Sequence, residues 1–206
     1  PLRQISTIAR DERALEAKCQ HSYSEPGFLS RYSFGLRYEI FRRHRHAPGF
    51  KIYASDYPPS LPPRSQRRDL DDEILTSRYC LCPSGTGWGM RVYHVLVLGC
   101  VPVLTQHDGE HPPVAQAFDP ELLDWESFAV VVRRSQIASL PALLESVDHR
   151  AKLAGLRRVW SRMIWRSALQ EPLASRLPGP DAFESTMAAL NTRVMQAARS
   201  PSTSPT

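Results

Sequence analysis

Arg91 and His94 stand three residues apart, just after the turn-rich run Pro83-Ser84-Gly85-Thr86-Gly87. A permanent guanidinium charge beside a small-residue loop can hold an anion in a two-pronged grip. The residues around the loop say what must position it. Tyr79 to Cys82 is a short apolar run of strand type, and Met90 to Leu98 is long and apolar enough for a helix. Gly99 sits where a helix C-cap belongs, and Val101 to Leu104 reads as a second buried strand. Strand, tight loop, helix and strand in this span make a right-handed parallel crossover. Its ligand site falls where the first strand meets the helix N-terminus, where free N–H groups and the helix dipole favour phosphate. The expected ligand of Ser84, Gly85, Thr86, Gly87 and Arg91 is therefore the diphosphate of a nucleotide.

Asp108, Glu110 and His111 share a loop just past the second strand, where an active-site loop belongs in an open α/β sheet. A solvated acidic loop is the plain alternative, and Asp108 could also serve as an ion-pair partner for Arg91. His107 and His111 have no fixed element to give them metal-ligand geometry, so no metal site is assigned. Arg37 is a second candidate phosphate contact, against the default of a helix-surface arginine. Trp125 and Phe128 read as core aromatics rather than a sugar platform.

The four cysteines are Cys19, Cys80, Cys82 and Cys100. Cys80-x-Cys82 is too close for a zinc pair, and on a strand both point to one face, as small buried residues would. In an oxidising compartment a disulfide involving Cys19 is the other reading.

A chain of 206 residues with 42% hydrophobic content can bury one ordinary core. No apolar run approaches the ~20 residues of a membrane span. The net charge of +5 is almost wholly arginine, with only Lys18, Lys51 and Lys152 as lysines. Basic domains can bind nucleic acid, but these arginines are scattered, and no nucleic-acid partner is expected. The one cluster, Arg42-Arg43-His44-Arg45-His46, reads as a solvated helix end whose cations complement the dipole.

Along the chain, residues 1–29 form a poorly defined remnant, 30–199 the functional domain and 200–206 a disordered tail. Ser33 to His44 is a predicted helix with Ser33 as its cap. Phe50 to Ala54 is a short strand, and Pro58 to Pro63 an exposed loop. Asp69 to Ser77 is a helix with Leu70, Ile74 and Leu75 turned inward. Phe128 to Val132 is a third strand, and Ser135 to Val147 a helix. Arg150 to Gln170 is a helix with Leu153, Leu156, Val159, Trp160, Met163 and Ile164 near one face. Asp181 caps a last helix. The alternation predicts an α/β fold with a Rossmann-like, largely parallel sheet and flanking helices.

The segment Tyr79-Cys80-Leu81-Cys82-Pro83-Ser84-Gly85, then Arg91, then Gly99-Cys100-Val101-Pro102-Val103, resembles the core of the exostosin family of glycosyltransferases. Asp108 falls where that family has an Asp. Leu122 to Val130 resembles its Leu-x-Trp-x-x-Phe-Ser-Val element, and Ile137 to Leu144 the helix after it. Tyr32-Ser33-Phe34-Gly35-Leu36-Arg37 is similar to a Tyr-Ser-x-Gly-Ile-Arg segment of algal and plant members. The likeness spans roughly residues 30 to 147.

The resemblance implies the nucleotide-sugar half of a GT-B enzyme. It implies an inverting transfer from a nucleotide-sugar donor, with UDP expected, to a glycan or glycoprotein acceptor. No cofactor is expected beyond that donor, which is a substrate. An acceptor domain would precede the segment, whose first residue, Pro1, reads as the start of a piece of something longer. A membrane would be reached only through an anchor outside this chain, on the lumenal side of the Golgi. His94 departs from the family pattern, which has an acid three residues after the arginine that touches the nucleotide sugar. A neutral histidine accepts a hydrogen bond but carries no negative charge. That departure favours the rival reading, a noncatalytic exostosin-like domain acting as a folding or complex partner.

Overall fold

The computed structural model describes residues 32–52, 69–85 and 89–199. The predicted remnant, the polar tail, the loop Pro58 to Pro63 and Cys19 lie outside these residues. Three strands form one sheet in the order β1-β2-β3: β1 (Tyr79–Pro83), β2 (Val101–His107) and β3 (Val130–Arg133). Both pairings are parallel, with Tyr79 opposite Val101 and Val103 opposite Val130. The α-helices among the described residues are α1 (Leu36–His44), α2 (Leu70–Leu75), α3 (Arg91–Val97), α4 (Leu140–Ser146), α5 (His149–Val159), α6 (Leu173–Arg176) and α7 (Ala182–Arg199). The architecture is the expected α/β sheet with helices on both faces. Phe50 to Ile52 join no strand, and the rest of the strand predicted there lies outside the described residues.

The central strand β2 is buried along Val101 to Gln106, as a parallel strand covered on both faces must be. Alternation along the strands sorts their side chains into two cores. Cys82, Val92, Leu96, Leu104, Phe128 and Leu156 fill one. Leu36, Ile40, Val103, Val132, Ile137 and Leu140 fill the other.

The crossover ends as its sequence demands. Gly99 takes φ 79°, which only glycine adopts freely. The Gly99 N–H donates to the Leu96 carbonyl at 3.1 Å, and the Cys100 N–H to the Val95 carbonyl at 2.9 Å. This is a Schellman stop, and it turns the chain directly into β2. α7 opens on a reciprocal capping box. The Glu184 N–H donates to Asp181 Oδ1, and the Asp181 N–H to Glu184 Oε2, both at 2.9 Å.

Several predicted elements are corrected. α1 begins at Leu36 behind Gly35, which has φ 74°, and no side chain caps it. Ser33 instead lies in a short left-handed turn with Tyr32, Phe34 and Gly35. In α2 only Ile74 is inward, at 4% exposure; Leu70 and Leu75 are 45% and 60% exposed. The basic cluster is not wholly solvated: His44 and Arg45 are buried. His44 Nε2 lies 2.6 Å from the Ile137 carbonyl, and its ring stacks on Phe50. α5 stops at Val159, and a 3-10 turn over Trp160–Met163 ends it. Leu156 is buried there, while Leu153, Val159, Trp160 and Met163 pack partly exposed against the cores.

Cys80 is disulfide-bonded to Cys100, with their Cα atoms 6.0 Å apart. Cys82 is a buried free thiol. The strand alternation is right that Cys80 and Cys82 share a face. Cys80 nevertheless finds its partner beside the neighbouring strand, because its register neighbour is Pro102 and Cys100 lies two residues before that.

Gly155 on α5 has a packing reason. A methyl added there would sit 2.4 Å from the Ser127 carbonyl oxygen and 3.2 Å from Phe128 Cβ. A carbonyl of a packed turn cannot swing aside as a flexible side chain can. Gly155→Ala is therefore expected to destabilise the fold by about 1–3 kcal/mol, although alanine is the better helix former. Thermal melting would show it as a fall of roughly 2–4 °C per kcal/mol in a domain of this size. An unchanged or raised melting temperature would mean that α5 is not seated on Ser127.

Candidate functional site

Parallel strands place their C-terminal ends together, and ligand sites gather there. β1 ends at Pro83, so Ser84 and Gly85 lie at this edge; Thr86 and Gly87 lie outside the described residues. Ser84 is completely buried. Its hydroxyl lies 3.1 Å from the Ser33 hydroxyl. Its carbonyl accepts a hydrogen bond from Arg37 Nε at 2.8 Å. Arg37 also lies over the Tyr32 ring, 5.3 Å from its centroid. Arg37 is thus tied to the backbone of the loop, while its side chain stays exposed at the strand ends.

Arg91 is exposed and opens α3. α3 has seven residues, barely two turns, so most of the positive charge here comes from side chains rather than a long dipole. Cys82, near the end of β1, is fully buried. Burial pushes its thiol up to about 12, and the charges of Arg91 and Arg37 oppose that rise. Arg37 thus reaches the end of β1 from α1, and Arg91 stands at the start of α3, the helix that follows the loop.

His94 is exposed on the same helix face. With Met90, Arg91, Tyr93 and Val97 it lines an open depression of about 540 Å³. His94 Nε2 lies 2.8 Å from Asp71 Oδ1 on α2. A neighbouring helix thus supplies a carboxylate beside the position that lacks one.

Asp108 follows β2 and is buried, but it does not pair with Arg91. Its Oδ1 accepts from the N–H groups of His111 at 2.9 Å and Glu110 at 3.0 Å. Its Oδ2 lies 2.7 Å from His111 Nδ1. The His111 backbone N–H, the His111 side chain and the Glu110 N–H hold its carboxyl well below the usual range against desolvation. Asp108, Glu110 and His111 bring three possible ligand atoms within 4.8 Å of one another. Asp108 already uses both oxygens inside the loop, so its evident work is to shape that loop. Gln106 Nε2 donates to the Cys82 carbonyl at 3.0 Å, and Gln106 Oε1 accepts from Gln116 at 2.7 Å. Among the described residues, Thr105 Oγ1 and His107 Nδ1 are buried without a hydrogen-bond partner, both at the C-terminal end of β2.

Trp125 and Phe128 are core residues, 3% and 0% exposed. Trp125 Nε1 donates to the Ala117 carbonyl at 2.9 Å.

The exostosin GT47 domain matches residues 24–147. The chain belongs to the exostosin GT47 family. That span covers all three strands and every candidate site residue. A protein of Arabidopsis thaliana named "probable glycosyltransferase" is 37% identical over 89 residues, 43% of this chain and 16% of that protein. A rice protein named "probable glucuronosyltransferase" is 28% identical over 117 residues, 56% of this chain and 24% of its own length. An exostosin-1 homolog of Caenorhabditis elegans is 30% identical over 107 residues, 52% of this chain and 26% of its own. The chain therefore corresponds to about a sixth to a quarter of the length of these exostosin relatives.

Sequence reasoning brought Ser84, Gly85, Arg37, Arg91 and Asp108 to the strand ends, and His94 to the face carrying Arg91. It missed Ser33 and Asp71. The glycine at position 35, immediately before a helical pattern, was a usable sign of a turn that would free Ser33 from capping. Nothing local to Asp71 signals His94, because the two are 23 positions apart.

Proposed function

We propose that this exostosin domain is the donor-binding half of an inverting glycosyltransferase that uses a nucleoside diphosphate sugar, with UDP as the nucleotide. Arg37 on the Ser84 carbonyl and Arg91 at the start of α3, both at the loop that follows β1, carry this reading. In the reaction, the bond between the sugar C1 and the diphosphate oxygen breaks. A bond from an acceptor hydroxyl forms on the opposite face, and the hydroxyl proton passes to a base. Arg91 takes the growing negative charge on the departing diphosphate, which lowers the barrier most when the charge is held ready in place. Ser84 and Gly85 stand just after β1, where the donor diphosphate would sit. Thr105 and His107 offer unpartnered polar groups nearby. In this reading the acceptor is a glycan or glycoprotein. A second, acceptor-binding domain is expected to complete the cleft. Disulfides persist in oxidising compartments, so Cys80–Cys100 supports a lumenal setting such as the Golgi. Among the described residues no helix is long and apolar enough to cross a membrane, and an anchor would lie elsewhere.

The rival reading is a noncatalytic partner domain, and the engagement of His94 by Asp71 favours it. Calorimetric titration with UDP separates the two: saturable binding supports the donor site, and none supports the relic. His94→Glu alone would set a carboxylate against Asp71. The informative variant is therefore His94→Glu with Asp71→Asn. An acid beside Arg91 at i, i+3 orients the guanidinium and accepts from ribose hydroxyls. UDP should bind about fivefold tighter, the effect of one net hydrogen bond of about 1 kcal/mol. Weaker binding by this variant would mean that no acid belongs on that face.

A further inference from the structure

We infer that Ser33 is a positioning residue for the donor loop, set by the left-handed turn Tyr32–Gly35. This rests on the nucleotide reading of the site. Ser33 and Phe34 take φ 57° and 56°, and Gly35 follows at 74°. Glycine accepts such angles, but a serine and a phenylalanine in succession do so only when their surroundings force them. The surroundings here engage the ends of all three strands. The Ser33 hydroxyl meets the Ser84 hydroxyl after β1, at 3.1 Å, with both residues buried. The Phe34 ring stacks on His111, which is bound to Asp108 after β2. The Phe34 carbonyl accepts a hydrogen bond from Arg134, just after β3.

The turn also forgoes an easier alternative. A right-handed start would let Ser33 cap α1, as its sequence invites. Instead α1 begins with no side-chain cap, and the hydroxyl is turned to Ser84. Four residues after Ser33, Arg37 holds the Ser84 carbonyl. One turn and one helix start thus grip both the side chain and the backbone of the first loop residue. The burial of Leu36 and Ile40 by α1 would not require this. The place of Ser84 at the end of β1 is what the grip controls.

The test is Ser33→Gly, which removes the hydroxyl while allowing the same backbone angles, so its melting temperature should stay within a few degrees of wild type. Titrated with UDP, it should bind about fivefold more weakly, because a loop released by one net hydrogen bond occupies its binding geometry about a fifth as often. In a Ser84→Ala background the same change should have almost no further effect, because the partner is already gone. Equal affinity of Ser33→Gly and wild type, or fully additive losses in the double variant, would overturn the positioning role while leaving the donor site standing. Absence of UDP binding by wild type would overturn both.

Discussion

Arg91→Ala is expected to weaken UDP binding by ten- to a hundredfold with little change in melting temperature. The guanidinium is exposed at the first residue of α3 and packs no core, so the fold does not depend on it. The charge it places near the end of β1 has no substitute on its own helix, since His94 is bound to Asp71. Losing a hydrogen bond to a charged group removes about 1.5–3 kcal/mol, and each 1.4 kcal/mol is a factor of ten. Calorimetry on Arg91→Ala and wild type measures this directly. Unchanged affinity in a folded variant would take Arg91 out of the site. Arg91→Lys is an informative companion: it keeps the charge but loses the fork that grips two oxygens, so its loss should be intermediate.

The second large effect concerns stability. Breaking Cys80–Cys100, by reduction or as Cys80→Ala/Cys100→Ala, should destabilise the domain by roughly 3 kcal/mol. The bridge spans 20 positions of sequence, and a loop of that size constrains the unfolded chain by about this amount. Melting with and without reductant reads it as a fall of several degrees. A melting curve indifferent to reductant would mean that the bridge adds nothing to the fold. Cys82 should not rescue it: burial keeps its thiol protonated, and the protonated form is a poor nucleophile.

The elements of the crossover could be read from the chain because local signals agreed. Gly99 had the position for a left-handed stop, and the apolar runs on either side had lengths proper to a helix and a strand. Asp181 announced the start of α7. Features set by tertiary contact could not be read this way. Ser33 looks like a helix cap in sequence, and only the proximity of Ser84, 51 residues away, turns it into something else. His44 sits in a run of cations, yet the chain folds Ile137 over it. The partner of Cys80 depended on which strand lay next to β1, and spacing alone does not say. Asp108 was placed at the right edge, but its hydrogen bonds run within its own loop rather than to Arg91.

The bridge has a topological consequence for the site loop. Residues 80 to 100 form a covalent ring that contains the loop and all of α3. A protease cutting anywhere inside this ring opens it without releasing a fragment. Nicked protein would run as one species on a non-reducing gel and as two on a reducing one.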